Sequence, residues 1–323
     1  MRALVTGAAG FIGSNLVERL DAEGHGVVAI DAFSSYYDVE QKRSNWEALR
    51  RLGSCRLIEA DLAAVDLVGL LGDVDTVFHQ AGQPGVRASW RDGFDSYLRQ
   101  NVLVTQRLLE AASEAALERV VYASSSSVYG NAPAYPTTED DLPRPQSPYG
   151  VTKLAAEHLC GVYARTRGLP VVSLRYFTVF GPRQRPDMAM HRLIEAALSG
   201  DAFPLFGDGR QIRDFTFVGD IVDANLAAAG ADVAPATVLN VAGGTATTVL
   251  EVIEIIEELT DSPITLDRRP QAAGDVVRTG GSADRAASLL DWEPAVGLRD
   301  GLARQVSWHL DRRVRPALLA SGA

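Results

Sequence analysis

Short runs of apolar residues alternate with longer segments of helical periodicity through the first half of the chain. The apolar runs are typical of strands buried on both faces of a parallel sheet, and the segments between them predict helices that cover those faces. Strands are predicted at residues 2–6, 27–30, 56–59, 76–79, 120–124 and 171–176, and helices from about residue 11, from 94 to 117 and from 147 to 167. We therefore expect an α/β fold with a doubly wound parallel sheet.

The pattern changes after about Gly181, where prolines and glycines separate shorter elements. Strands are still expected at residues 214–218 and 238–241, and both could join the main sheet. A chain of 323 residues is long enough for two lobes around a cleft. We assign residues 1–180 to the first domain, with residues 213–243 returning to it, and residues 181–323 mainly to a smaller, discontinuous C-terminal substrate lobe.

The composition is that of an ordinary globular protein, with 46% hydrophobic and 22% charged residues, which argues against a disordered chain or a coiled coil. The net charge is −10, and no basic stretch marks a surface for nucleic acid or anionic lipid. The two cysteines and five histidines lack the spacing of a disulfide framework or a metal site. No apolar run approaches the ~18 residues of a membrane span. We therefore expect a cytoplasmic protein with no nucleic-acid, membrane or metal partner.

A glycine-rich segment, Gly7-Ala8-Ala9-Gly10-Phe11-Ile12-Gly13, connects the first predicted strand to the first predicted helix. Glycines are needed where a turn is tight and where the backbone approaches a pyrophosphate, and the helix N-terminus supplies N–H donors for that charge. An ordinary strand-to-helix turn is the alternative interpretation. The strand before the motif and the amphipathic helix after it favour a dinucleotide bound by Gly7, Gly10, Phe11, Ile12 and Gly13.

Asp31 ends the second predicted strand, 18 residues after Gly13. An acid near this position accepts hydrogen bonds from the adenosine ribose and repels the additional phosphate of NADP, so we expect NAD as the cofactor. Lys42 could contact a cofactor phosphate, or it could lie with Arg43 on a solvent-exposed helix face. These features make residues 1–180 a Rossmann-type, NAD-binding domain.

Two further segments follow predicted strands, at the edge of the sheet where the cofactor is expected. Asp61 and Leu62 come after the third strand, where they could contact the adenine, although a plain turn acid is the alternative. Gln80, Ala81 and Gly82 come after the fourth strand. We expect all five residues to line the cofactor site.

A helix is predicted to begin at Ser147-Pro148, because serine is a favourable N-cap and proline suits the first helical position. Tyr149 and Lys153 are then i and i+4 on one face of this helix. An adjacent ammonium and a positively charged nicotinamide favour the phenolate form of tyrosine, whose pKa is otherwise about 10. Such a pair also occurs by chance on exposed helices. Beside a dinucleotide-binding motif, it predicts a general base that takes a proton from a substrate hydroxyl.

Four serines, Ser124-Ser125-Ser126-Ser127, end the fifth predicted strand. Ligands of doubly wound folds bind at the carboxyl ends of the strands. The run could be an ordinary polar turn. We expect instead that its hydroxyls face the Tyr149 helix and orient a substrate.

Together these residues resemble the extended short-chain dehydrogenase/reductase family, and within it the nucleotide-sugar 4-epimerases, over nearly the whole chain. The resemblance implies that Tyr149 is the catalytic base and that Lys153 orients it and holds the nicotinamide ribose. It also implies that Ser125 or Ser127 shares the proton with the sugar 4-hydroxyl. Tyr176, in the segment Arg175-Tyr176-Phe177, would belong to the cofactor site. Gln80 departs from the family, in which an apolar residue is commoner.

Later segments resemble the parts of the family that enclose a UDP group. They are Phe206-Gly207-Asp208-Gly209, Arg213-Asp214-Phe215, and Gly274-Asp275-Val276 with Arg278. The resemblance implies that Arg213 and Arg278 bind the diphosphate and that Gln211 lies near its ribose. Residues 181–323 are therefore expected to form mainly a UDP-sugar-binding lobe.

Other segments resemble the UDP-glucuronate 4-epimerases in particular. Ser126 and Ser127 stand where related dehydratases and decarboxylases carry an acid that their reactions require. Arg87, Thr178 and Arg185 lie in segments that match these epimerases, whereas neutral-sugar epimerases usually have asparagine in place of Thr178 and lack Arg185. The resemblance implies that these five residues contact the substrate, and that Thr178, Arg185 and a serine hold a sugar carboxylate.

The expected reaction is the NAD-dependent conversion of UDP-glucuronate to UDP-galacturonate through a 4-keto intermediate. A UDP-glucose or UDP-N-acetylglucosamine 4-epimerase would share the fold and the Tyr149–Lys153 pair. A non-catalytic nucleotide-sensing protein is a further alternative, although the intact glycine motif and the intact pair argue against it. A homodimer is expected because two helices of each subunit form the dimer interface in the family. The predicted helices at 94–117 and 147–167 carry apolar residues on more than one face, which packing within one chain would also explain.

Overall fold

Seven parallel strands form the central sheet of the computed structural model, which describes residues 1–270, 276 and 278–320. The strands are β1 (Arg2–Thr6), β2 (Gly26–Asp31), β3 (Cys55–Glu59), β4 (Thr76–His79), β5 (Arg119–Ser125), β6 (Val171–Tyr176) and, later in the chain, β11 (Thr237–Val241). Their order across the sheet is β3-β2-β1-β4-β5-β6-β11. The order reverses between β1 and β4, and ligands of doubly wound folds bind at such a switch point.

Helices cover both faces of this sheet. The helices of the described residues are α1 (Phe11–Ala22), α2 (Val39–Arg50), α3 (Leu67–Leu71), α4 (Phe94–Tyr97), α5 (Val104–Ala112), α6 (Pro148–Arg167), α7 (Ala189–Ser199), α8 (Val218–Gly230), α9 (Val249–Thr260), α10 (Asp284–Leu290) and α11 (Leu298–Ala320). Of these, α7, α9 and α11 pack on one another, away from the central sheet. Val5 of β1 packs in one apolar cluster with residues of α1, α2 and α8. Leu4 points to the opposite face, in a second cluster with residues of α3, α5 and α6. The predicted α/β, doubly wound fold is therefore confirmed.

The segment predicted as one helix at 94–117 is interrupted and ends early. It consists of α4, a π-helical turn at Leu98–Leu103, and α5, which ends at Ala112. Backbone hydrogen bonds of Glu114 and Ala115 to the last helical carbonyl groups close a turn that leads into β5. The helix at 147–167 begins as predicted, because the Ser147 hydroxyl accepts a hydrogen bond from the Gly150 amide at 3.1 Å.

Three small sheets lie outside the central sheet. β7 (Thr178–Phe180) pairs with β10 (Phe215–Phe217), β8 (Phe203–Phe206) with β13 (Leu266–Arg269), and β9 (Ile212–Arg213) with β12 (Thr247–Thr248). The strand predicted at 238–241 joins the central sheet beside β6, as expected. The strand predicted at 214–218 does not, because the chain leaves the sheet after Tyr176 and β10 pairs with its continuation, β7. The limits assigned to the two domains stay a prediction.

Among the described residues, no helix is both long enough and apolar enough to cross a membrane.

Candidate active site

One cavity, at the switch point of the central sheet, is lined by every residue that the sequence analysis assigned to the cofactor. Its walls include the glycine-rich turn after β1, Asp31 at the end of β2 and the segment 80–82 after β4. Tyr149 and Lys153 of α6 and Arg185 complete the lining. Residues that are far apart in the sequence therefore meet at one edge of the sheet.

The turn between β1 and α1 brings the glycine-rich backbone against the segment that follows β4. Gly7 has a φ of 68°, and a Cβ there would lie 2.8 Å from the Ala81 amide nitrogen. A Cβ on Gly13 would lie 2.2 Å from the Gly7 carbonyl oxygen, so neither position admits a side chain. Among the described residues, no side chain caps α1 at Gly10. The N–H groups at the start of α1 and its helix dipole thus fit the diphosphate of a dinucleotide.

Asp31 and Lys42 lie together where β2 enters the cavity. The Asp31 carboxylate accepts two backbone hydrogen bonds, at 3.0 and 2.8 Å, and burial raises its pKa although the Lys42 charge opposes this effect. Lys42 is itself buried and donates from Nζ to the Ser34 carbonyl oxygen at 2.7 Å. The interpretation that Lys42 lies on a solvent-exposed helix face is therefore wrong. The same interpretation is correct for Arg43, which pairs with Glu59 at the surface.

Asp61 combines the two roles that the sequence left open. It lines the cavity together with Leu62. It also stabilises a turn, because its carboxylate accepts a hydrogen bond from the Ala63 amide at 2.8 Å. Arg99 donates to the other carboxylate oxygen at 3.1 Å.

Gln80, the departure from the family pattern, has polar partners in the interior. Its Nε2 donates to the Tyr176 hydroxyl at 3.1 Å and to Asn225 Oδ1 at 2.9 Å. The Tyr176 hydroxyl in turn donates to Asn225 Oδ1 at 3.0 Å. This triad fixes the Tyr176 ring at the cavity wall.

Tyr149 and Lys153 share one face of α6 and both line the cavity, but the two side chains are held differently. Lys153 Nζ donates to the Ala123 carbonyl oxygen, and burial lowers its pKa to about 8. Burial also raises the pKa of Tyr149, whereas a hydrogen bond with Ser125 and the charge of Arg185 act in the opposite direction. The chain's own side chains do not bring the pKa of Tyr149 below its ordinary value, and the expected joint effect of Lys153 and a positively charged nicotinamide stays a prediction.

The run of four serines at the end of β5 contributes residues to the walls of two cavities. Ser125 lies close enough to Tyr149 to act against the rise in its pKa, and its Oγ accepts from the Ser127 amide at 3.2 Å. Ser124 donates to Glu157 Oε2 on α6 at 2.6 Å. The 3₁₀ turn at Ser126–Val128 redirects the chain, so Ser126 lines a second, smaller cavity instead of the one that contains Tyr149. The expectation that all four hydroxyls face α6 is therefore wrong for Ser126.

Two predicted substrate residues meet at Phe206, the last residue of β8. The guanidinium carbon of Arg87 lies 4.4 Å from the centroid of the Phe206 ring. Gln211 Nε2 donates to the Phe206 carbonyl oxygen at 2.7 Å. Its Oε1 is buried and has no partner among the described residues, and a ribose hydroxyl would satisfy it.

The remaining predicted substrate residues lie on several separate elements outside the central sheet. Arg278 lines the second cavity with Ser126, and its guanidinium carbon lies 3.0 Å from the centroid of the Tyr135 ring. Arg213 lies in β9, and Thr178 begins β7. Gly274 and Asp275 lie outside the described residues. The roles of all these residues in substrate binding stay predictions.

The sequence analysis missed Asn101, which lies in the π-helical turn beside the cavity. Its Oδ1 accepts from the Gln83 amide at 2.6 Å, and its Nδ2 donates to the Gln83 carbonyl oxygen and to Thr152, both at 3.0 Å. These bonds join the loop after β4 to α6. Short π-helical segments occur often at functional sites, but they have no simple sequence signature. The signal available in the sequence was an asparagine within an apolar helical pattern.

A cofactor cavity at the switch point and a tyrosine–lysine pair beside it define a nucleotide-dependent enzyme of the short-chain dehydrogenase/reductase type. Residues 3–242 match the model of the "NAD dependent epimerase/dehydratase family". The chain belongs to this family. The prediction of NAD as the cofactor is thereby confirmed.

Individual relatives agree in fold and differ in the sugar that their names give. The UDP-glucuronic acid 4-epimerase of Bacillus cereus, solved with UDP-glucuronic acid and NAD, is 40% identical with a TM-score of 0.93, over 97% of this chain and all of that one. MoeE5 with UDP-glucuronic acid and NAD is 47% identical, with a TM-score of 0.87 over 97% of this chain and 100% of that one. The UDP-glucose 4-epimerase of Mycolicibacterium smegmatis is 38% identical over 95% of this chain and 98% of its own length.

Proposed function

We propose that this protein converts UDP-glucuronate to UDP-galacturonate by inverting the configuration at C4 of the sugar. The protein is an NAD-dependent UDP-sugar 4-epimerase, and the proposal concerns its substrate. One observation carries it: the guanidinium of Arg185 lines the same cavity as Tyr149 and Lys153, where a neutral sugar would offer no anion for it. UDP-glucuronic acid is also bound in two of the similar structures.

The proposed chemistry assigns one task to each residue of the pair. Tyr149 takes the proton of the sugar 4-hydroxyl, and Ser125 shares that proton because it lies beside the phenol and acts to lower its pKa. Lys153 holds the nicotinamide ribose and supplies positive charge near Tyr149. NAD⁺ would be held by the residues that line this cavity, and it would supply the hydride acceptor for C4 and the hydride donor for the 4-keto sugar. The cofactor is regenerated in each cycle.

Arg185 is assigned the sugar carboxylate because the 4-keto intermediate is a β-keto acid. Such an acid loses CO₂ when its carboxylate bond stands perpendicular to the ketone plane, since the electron pair of the breaking bond then flows into the carbonyl group. The guanidinium can bind a carboxylate through two parallel hydrogen bonds and so fix its plane. Thr178 and Ser127 are assigned as additional hydroxyl donors, whereas Ser126 lines the second cavity.

The UDP group is assigned to the smaller lobe. Arg213 and Arg278 supply positive charge for the diphosphate, and the buried Oε1 of Gln211 accepts a hydrogen bond from a ribose hydroxyl. Anchoring the diphosphate leaves the sugar free to turn about its link to the nucleotide. Both faces of C4 can then be presented to the same hydride.

The proposal is tested by incubating the purified protein with NAD⁺ and, in parallel, with UDP-glucuronate, UDP-glucose and UDP-N-acetylglucosamine. We expect UDP-galacturonate to form fastest. The Tyr149→Phe variant should be ~10²–10⁴-fold slower, because it lacks the group that moves the proton. Tyr163→Phe, on the same helix, is the matched control and should retain activity. Faster epimerisation of either neutral sugar by the wild-type protein would overturn the proposal.

We also propose that two copies of the chain associate through the π-helical turn at Leu98–Leu103 and α6. Four apolar side chains on the π-helical turn and α6 are 42–48% exposed: Leu98, Leu103, Val151 and Val162. Exposed apolar residues grouped on neighbouring helices are typical of a surface that another protein covers. The dimer stays a proposal, and its test is described in the Discussion.

A further inference from the structure

Arg185 is held by a neighbouring carboxylate inside the chain. Its Nε donates to Asp187 Oδ1 at 2.9 Å, and its Nη2 donates to Oδ2 at 3.0 Å. A guanidinium has two edges that can each bind a carboxylate through a pair of parallel hydrogen bonds. Asp187 occupies the Nε/Nη2 edge. Among the described residues none accepts a hydrogen bond from Nη1, so the Nη1/Nη2 edge remains available for a second anion.

The turn that carries both residues is short and restrained. Pro186 lies between them and fixes its own φ, and the Met188 amide donates to the Arg185 carbonyl oxygen at 3.1 Å. The two side chains therefore leave one turn of backbone side by side. A movement of the guanidinium that keeps both bonds to Asp187 has to carry the carboxylate with it.

Asp187 is also tied to the loop on the other side of the cavity. The Tyr36 hydroxyl donates to Asp187 Oδ2 at 3.4 Å, and Tyr36 lines the cavity. The space around this hydroxyl is closely filled, because a Cβ on Gly85 would lie 1.9 Å from it. Tyr97 packs next to it, with its ring centroid 6.1 Å from that of Tyr149. Asp187 is thus supported by Tyr36, and Tyr36 lies beside Tyr97, which contacts Tyr149.

We propose that Asp187 is a positioning residue that fixes the plane of the Arg185 guanidinium, so that its Nη1/Nη2 edge binds the sugar carboxylate. The inference rests on the proposed function and adds a residue to it. Asp187 itself touches no reacting atom. Without it, Arg185 keeps its charge but rotates more freely, so the carboxylate is held less firmly and turns more often toward the geometry that releases CO₂.

The decisive measurement is binding to the NAD-loaded protein by calorimetry, with UDP-glucuronate and with UDP alone. UDP carries the nucleotide without the carboxylate. In Asp187→Asn, which is nearly isosteric, we expect the Kd for UDP-glucuronate to rise about tenfold, because a charge-assisted pair of bonds is lost, and the Kd for UDP to stay unchanged. The same variant should give more UDP-pentose relative to UDP-galacturonate.

Two further variants complete the test. Asp73→Asn also removes a carboxylate from an arginine, Arg2, at an exposed site, and should bind both ligands as the wild-type protein does. Tyr36→Phe removes the hydroxyl that supports Asp187, and should shift UDP-glucuronate binding in the same direction by a smaller factor. This variant keeps the test decisive if Asp187→Asn does not fold.

Equal weakening of UDP and UDP-glucuronate in Asp187→Asn would show that Asp187 only maintains the loop, and no change in either would show that Arg185 does not need it. Both results overturn the inference. Failure of the proposed function gives a different result, because the wild-type protein would then not epimerise UDP-glucuronate.

Discussion

Glu157 and Arg175 form an ion pair in the interior, in which both side chains are only 5% exposed. The pair is bidentate, with Arg175 Nη2 at 2.6 Å from Oε1 and Nε at 3.0 Å from Oε2. Glu157 lies on α6, one helical turn after Lys153, and Arg175 lies on β6. The pair therefore fixes the helix that carries the catalytic tyrosine to the sheet beneath it.

Replacing Glu157 by glutamine should lower the free energy of unfolding by about 3–5 kcal/mol, because the buried Arg175 charge loses its partner. Urea unfolding followed by circular dichroism measures this change. Glu258→Gln is the control, since it removes an exposed pair with Arg299 and should change the free energy by less than about 1 kcal/mol. Similar effects of both substitutions would show that the buried pair does not stabilise the fold.

Much of the fold and the cofactor cavity could be predicted because the signals are local. The glycine-rich turn, the strand ends and the spacing of Tyr149 and Lys153 each depend on a few neighbouring residues. The pairing of β10 with β7 could not be predicted, because two strands of three residues have the same pattern whichever sheet they join.

Contacts between distant segments could also not be predicted from the sequence. The bonds of Gln80 to Tyr176 and Asn225 join residues about 100 positions or more apart. Lys42 looked like a surface residue because its neighbours on α2 are polar. Its burial depends on the loop after β2, which folds over it and supplies the Ser34 carbonyl group.

Replacing Asp31 by alanine should weaken the preference for NAD over NADP by about tenfold or more. The reason is that the carboxylate that repels the additional phosphate is lost. The buried ammonium of Lys42 would then attract that phosphate. Affinities for both cofactors can be measured by calorimetry. Asp61→Asn, at a second carboxylate of the cavity, should affect both cofactors alike. An unchanged preference in Asp31→Ala would exclude this role for Asp31.

The lowered pKa of Lys153 predicts an unusual pH dependence. Because burial lowers this pKa to about 8, the ammonium loses its charge well before a lysine in the unfolded chain does. We therefore expect kcat/KM to fall above about pH 8. Over the same interval this group's contribution to the free energy of unfolding should rise, since the unfolded chain binds more protons than the folded one.

The matching variant for this prediction is Lys153→Arg, which keeps its charge over the whole interval. It should be less active than the wild-type protein, but its kcat/KM should not decline between about pH 8 and 9.5. The same decline in both proteins would assign it to another group.

Replacing Arg185 by lysine should shift the products from epimer to UDP-pentose, because a lysine keeps the charge but cannot bind the carboxylate through two parallel bonds. Loss of CO₂ breaks the bond between C5 and C6, and the electron pair passes to the C4 carbonyl group. The remaining 4-keto sugar is either reduced to UDP-pentose or released, which leaves reduced cofactor on the protein. Chromatography and nicotinamide absorbance detect these outcomes.

Arg192→Lys is the control for this substitution. Arg192 lies on α7 near Phe203, so its replacement should leave the product ratio unchanged. If Arg185→Lys lowers activity without changing the ratio of epimer to decarboxylated product, Arg185 does not hold the carboxylate plane.

Introducing a charge on the exposed apolar surface of α6 should separate the proposed dimer. In Val151→Glu, the carboxylate would have to be buried without a partner at the interface, which costs several kcal/mol and shifts the association equilibrium toward the monomer. Val314→Glu is the matched control, because Val314 is another exposed valine, on α11 and away from this surface. Sedimentation velocity should show a dimer for the wild-type protein and for Val314→Glu, and a monomer for Val151→Glu. A wild-type protein that sediments as a monomer at every concentration would overturn the proposed dimer.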